Sequence, residues 1–132
     1  MKQKIYNRII MHVRSRYTMV DVLPKAGLFN YKCFDNAVEF SRTNEGFEVV
    51  EVIYIEDSMP ILHYVNREVS TGLLYETTLG YRATKLEYYA IRTIHLSDHS
   101  GIRSEFNRSL ESWLFQFTNP FQRFFFRIKR VV

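Results

Sequence analysis

The chain has 132 residues and a formal net charge of +4, with 46% hydrophobic and 24% charged residues. That length suits one domain around one core, and that balance excludes a chain disordered throughout. The single cysteine, Cys33, excludes an intramolecular disulfide and any zinc site built from several cysteines of this chain; it points to a reducing compartment, of which the cytoplasm is the simplest.

Aromatic residues make up 16% of the chain, with 11 Phe and 9 Tyr. Such side chains carry large apolar area, so a short chain can still build a firm core. The basic start of the chain leads into an apolar run broken by His12, Arg14 and Arg16, which does not read as a signal peptide. No apolar stretch is long enough to span a bilayer. No repeat, low-complexity segment or Pro/Gly/Ser-rich linker interrupts residues 1–132, so they are read as one domain.

Within residues 4–22, Ile5, Ile9, Ile10 and Val13 fit one face of a short helix, whereas Val20 and Val22 alternate like a strand. Pro24 and Gly27 mark a loop. A helix is expected over 32–43, with Cys33, Ala37 and Phe40 on one face and Asn44 and Gly46 as its stop. Residues 47–56 are rich in β-branched side chains and predict a strand. A turn over 57–60 leads to a second strand over 61–66, a turn over 70–72 to a third over 73–78, and a fourth strand is read over 86–95. Short turns between consecutive strands imply an antiparallel meander. From 102 to 118 the period becomes helical: Ile102, Phe106, Leu110, Trp113, Leu114 and Phe117 form one stripe, ended by Asn119-Pro120. The expected fold is α+β: an antiparallel sheet of about three to five strands packed against a Cys-bearing helix and a C-terminal amphipathic helix.

Cys33 falls at the start of its predicted helix. Backbone N–H groups and the dipole at a helix N-terminus stabilise a thiolate and can hold a developing oxyanion. His63 lies mid-strand, where an imidazole could take the thiol proton and return it to a leaving group. A third group must then fix its tautomer. Glu76 is on the next predicted strand, and pairing across residues 67–72 would bring its carboxylate beside His63.

A helix-borne Cys, a strand-borne His and an acid on the next strand, in that order, resemble transglutaminase-like domains of the papain-like cysteine superfamily. Their His motif runs His-aromatic-x-Asn/Glu, a turn with Gly, an aromatic, then Asp-Pro-Thr. This chain reads His63-Tyr64-Val65-Asn66, Gly72, Tyr75 and Glu76-Thr77-Thr78. Glu76 stands for the usual Asp and Thr77 for the Pro, and the likeness covers about residues 30–80. The resemblance implies Cys33 as nucleophile, His63 as base and Glu76 as orienting acid. The expected activity is a cysteine-dependent acyl hydrolase or acyltransferase of the peptidase, amidase or transglutaminase kind. It needs no cofactor and acts on a protein or peptide.

The other reading is a non-catalytic binding or inhibitor protein on a degenerate form of that fold. Its surface would be the C-terminal run from Phe121 to Val132, where aromatics interleave with Arg123, Arg127, Lys129 and Arg130. Such a run suits a membrane surface, single-stranded nucleic acid or self-association; packed phenylalanines with exposed cations account for it more simply. His95, Asp98 and His99 have metal-ligating side chains, but an exposed polar turn is the favoured reading. Gly-rich phosphate loops and a Gly-x-Ser-x-Gly elbow are absent, which removes support for nucleotide-dependent and α/β-hydrolase chemistry.

Overall fold

Within the segment Phe47–Glu56, residues 52–55 form an unbroken apolar run, and side chains along the segment are buried on both faces of a sheet. Val49, Ile53 and Ile55 enter one core; Val50, Val52 and Tyr54 enter a second on the opposite face. A strand buried on both sides loses the apolar–polar alternation of a half-exposed one, which is why this run is continuous. The computed structural model describes residues 2–25, 32–95, 112 and 115–125. Its elements in chain order are α1 (Lys2–Arg16), β1 (Met19–Val20), β2 (Val22–Pro24), α2 (Cys33–Thr43), β3 (Phe47–Glu56), β4 (Met59–Glu68), β5 (Leu74–Glu76), a 3₁₀ segment (Gly80–Lys85), β6 (Glu87–Ile94) and α3 (Pro120–Phe125).

The strands form one sheet in the order β1-β6-β3-β4-β5-β2. The β3–β4 hairpin is its backbone, in register from Phe47↔Glu68 to Glu56↔Met59. Its turn is tight: Asp57 and Ser58 both have positive φ, at 50° and 60°. That is the twist a two-residue hairpin loop requires. At the other end Gly46, at φ 82°, turns the chain from α2 into β3, a conformation that strains a residue with a Cβ.

The sheet has six strands rather than three to five, and β2 runs parallel to β5, so it is not wholly antiparallel. The extra strands, β1 and β2, have two and three residues, too few to show a period of two. β2 precedes α2 in the chain yet lies beside β5, held by the Lys25 backbone N–H donating to the Glu76 carbonyl at 3.1 Å. The Lys25 ammonium also sits over the rings of Phe40, Phe47 and Tyr75, 4.8–5.6 Å from their centres. β4 begins at Met59, two residues earlier than expected, because the turn is shorter; β5 ends at Glu76, leaving Thr77 and Thr78 outside the strand.

α1 is longer than the short helix expected and buries Ile5, Ile9, Ile10 and Val13 in the first core, beside Phe34, Ala37 and Val38 of α2. Both helices therefore cover the same face of the sheet. Most of the helix expected over 102–118 lies outside the described residues; 112 and 115–117 are helical, and Phe117 packs against the first core. Asn119-Pro120 also begins α3. Asn119 Oδ1 accepts from the Gln122 N–H at 2.7 Å, and the Asn119 N–H donates to Gln122 Oε1 at 3.0 Å. That reciprocal cap, with Pro at the first helical position, is a helix start legible in the sequence. Phe121 is exposed; residues 126–132 of the basic aromatic run lie outside the described residues. Among the described residues no helix is long and apolar enough to cross a membrane.

Candidate functional site

Cys33 is the first residue of α2, half-buried against the first core. Its helix forms because Phe34, Ala37 and Val38 make one apolar stripe, Asp35 lies in the first turn and Arg42 in the last, matching the helix dipole at both ends. Asn44 closes the helix: its backbone N–H and its Nδ2 both donate to the Phe40 carbonyl, at 3.0 and 2.9 Å.

His63 points to the second core's face of β4, sharing that face with Val65 and standing opposite Val52 in register. It is 3% exposed. β5 pairs with β4 only at Asn66 and Arg67. His63 thus stands on a part of β4 that β5 leaves unpaired, and the Cys33 thiol at the start of α2 is one of the groups that raise its proton affinity.

Glu76 is fully buried and holds the ring at Nε2. His63 Nε2 donates to both carboxylate oxygens, at 3.0 Å to Oε1 and 2.9 Å to Oε2. Glu76 Oε1 also accepts the backbone N–H groups of Thr78 and Leu79, at 3.0 and 3.1 Å, and Oε2 accepts the Tyr88 hydroxyl at 2.8 Å. Burial alone would raise this carboxyl's pKa, but the His63, Leu79 and Tyr88 bonds hold it below its ordinary value of 4.5. The buried imidazole follows the same logic with the opposite sign. Burial disfavours the imidazolium; the hydrogen bonds with Cys33 and Glu76 and the Glu76 charge outweigh it, and the His63 pKa rises from 6.5 to about 9. At neutral pH His63 is therefore a cation paired with the Glu76 carboxylate.

Two buried amides fix α2 against this arrangement. Asn36 Nδ2 donates to Thr78 Oγ1 at 2.9 Å, and Asn66 Nδ2 donates to the Ala37 carbonyl at 2.8 Å while its Oδ1 accepts the Thr77 hydroxyl at 3.0 Å. Residues 76–79 are thus tied both to the His63 ring and to the helix that carries Cys33. On the other face, Phe34 packs edge-on against Tyr64 with ring centres 4.6 Å apart, and the Tyr64 hydroxyl donates to buried Glu51 at 2.9 Å. Arg92 pairs with that same carboxylate at 3.3 Å.

The sequence reading singled out Cys33, His63 and Glu76; the fold joins His63 to Glu76 and sets Cys33 at the start of α2. It did not find Tyr88, Asn36 or Glu51. Asn36 left a trace, a polar residue on the core-facing stripe of an amphipathic helix, and so did Glu51, a charge amid a β-branched run. Tyr88 left none. Of the three residues weighed as metal ligands, His95 is exposed, and Asp98 and His99 lie outside the described residues. Among the described residues no group of three or more His, Cys, Asp or Glu side chains is arranged to hold a metal ion. Comparison with family models, with curated proteins and with solved structures gives no match to this chain.

Proposed function

We propose that the protein is a thiol-dependent acyl hydrolase or acyltransferase acting on an amide or ester carbonyl of a protein or peptide. One observation carries the reading: a buried imidazole held by a fully buried carboxylate, its proton affinity raised also by a half-buried thiol at the start of a helix. In this reading the Cys33 thiol gives its proton to solvent beside the imidazolium, and its sulfur then forms a bond to the carbonyl carbon. N–H groups of the first turn of α2 face the developing oxyanion. The bond to the leaving amine or alcohol breaks as the His63 imidazolium gives it a proton. A thioester on Cys33 and a neutral His63 remain. Water, losing a proton to His63, then releases the acid; an incoming amine in its place gives transfer. Either route restores the thiolate and the imidazolium. Glu76 keeps the ring in one tautomer and orientation throughout. A reducing compartment such as the cytoplasm keeps Cys33 as a free thiol.

The test is the rate of Cys33 alkylation by iodoacetamide against pH, in the wild type and in His63→Ala, with Cys33→Ser as the blank. Rapid labelling at neutral pH that slows in His63→Ala is the expected result. Incubation with an activated ester should then add one acyl mass to the wild type and none to Cys33→Ser. Labelling indifferent to His63, with no acyl adduct, would sink the catalytic reading and leave a binding protein on this fold.

A further inference from the structure

Tyr88 belongs to β6, and Glu76 to β5; in the sheet β3 and β4 stand between them. Their side chains nevertheless meet at 2.8 Å. The sheet must therefore curl around the second core, so that a residue near one edge reaches across the concave face to the other. Tyr88 is 1% exposed, and its ring lies 5.6 Å from that of Tyr54, which in turn stands edge-on to His63 at 5.1 Å. A hydroxyl carried this far into an apolar core must be repaid by its partner, and the acceptor it reaches is the same Oε2 that His63 uses.

We propose that Tyr88 is a positioning residue for the Cys33–His63–Glu76 group, setting the proton affinity of His63 by sharing the Glu76 carboxylate with it. This rests on the reading of Cys33 as nucleophile for its catalytic meaning, but the electrostatics stand on the geometry alone. The carboxylate has two oxygens, and each serves His63 Nε2 together with other donors: two backbone N–H groups on Oε1 and the Tyr88 hydroxyl on Oε2. When His63 loses its proton, Glu76 loses the cation it pairs with, and the Tyr88 hydroxyl stabilises that state more than the ion pair. Tyr88 therefore weakens the hold of Glu76 on the imidazolium. An imidazolium bound only by the carboxylate would keep its proton too firmly to pass it to a leaving group. The groups facing His63 are Cys33 from α2, Tyr54 from β3 and Glu76 from the end of β5, with Tyr88 of β6 behind Glu76. Tyr88→Phe removes the hydroxyl that reaches Glu76 Oε2 and nothing else.

The experiment is an NMR titration of the His63 ring in the full chain, wild type against Tyr88→Phe, with His63→Gln used to assign the resonance. Phe keeps the ring and its packing. The expected result is an upward shift of the His63 midpoint by roughly half a pH unit or more in Tyr88→Phe. A Tyr88→Phe protein that is less stable but titrates at the wild-type midpoint, or lower, overturns the proposal and makes Tyr88 a packing residue only. The two readings fail separately. Cys33 labelling that ignores His63 in the wild type removes the catalytic function, whereas an unmoved His63 midpoint in Tyr88→Phe removes only the role of Tyr88.

Discussion

Alkaline pH should loosen this fold by way of one residue. His63 has an ordinary pKa of 6.5 and, in the folded protein, one of about 9. A group whose folded pKa is raised stabilises the fold fully below its unfolded pKa and loses that contribution as pH rises through the folded value. The window is therefore about pH 6.5 to 9. At about 1.4 kcal/mol per pKa unit, the contribution is about 3 kcal/mol, roughly a few hundredfold in the folding equilibrium. Solvent screening takes little from it, since His63 and Glu76 are 3% and 0% exposed. The assay is urea unfolding at a series of pH values from 6 to 10, for the wild type and for His63→Gln. Subtracting the variant removes the titration of other groups. The difference in stability should be constant near pH 6 and shrink by about 3 kcal/mol towards pH 10. A difference that stays flat across that window, or grows with pH, would refute the assignment of His63 as a buried imidazolium paired with Glu76.

Glu76→Ala should cost about 3–5 kcal/mol, the loss expected when one partner of a buried ion pair is removed. It also strips the acceptor from two backbone N–H groups and from Tyr88. A thermal or urea measurement giving less than about 1 kcal/mol would mean that these bonds do not hold residues 76–79. Asn66→Ala should cost about 1–3 kcal/mol, because the Ala37 carbonyl and the Thr77 hydroxyl both lose a buried partner. Hydrogen exchange should show α2 amides opening more readily in that variant; unchanged protection along α2 would count against Asn66 as the clamp on the Cys33 helix.

Local rules account for the parts of the fold that the sequence made legible. The α2 helix was readable from its apolar stripe and its Asn44–Gly46 stop, because capping and left-handed turns are decided within a few residues. β3 and β4 were readable from β-branched content and the intervening Asp57-Ser58. The Cys33–His63–Glu76 group could be suggested because one hairpin and one short connection set the relation of β4 to β5. The short strands β1 and β2 were not readable as a pair of edges, since so few residues carry no period; only their partners β6 and β5 make them strands. The Asn119–Gln122 cap was present in the sequence as a helix start but was read only as a stop.

By itself, then, the sequence determined an α+β domain, a cysteine at a helix start, and a histidine and a glutamate on successive strands, since these follow from neighbours in the chain. Only the tertiary structure decided that the imidazole meets the carboxylate in a buried pair, that its burial is outweighed so that it holds its proton, and that Tyr88 joins them. Those facts depend on the curl of the sheet and on which groups lose water together. Curl and desolvation are properties of the packed whole, and no local pattern in this chain encodes them.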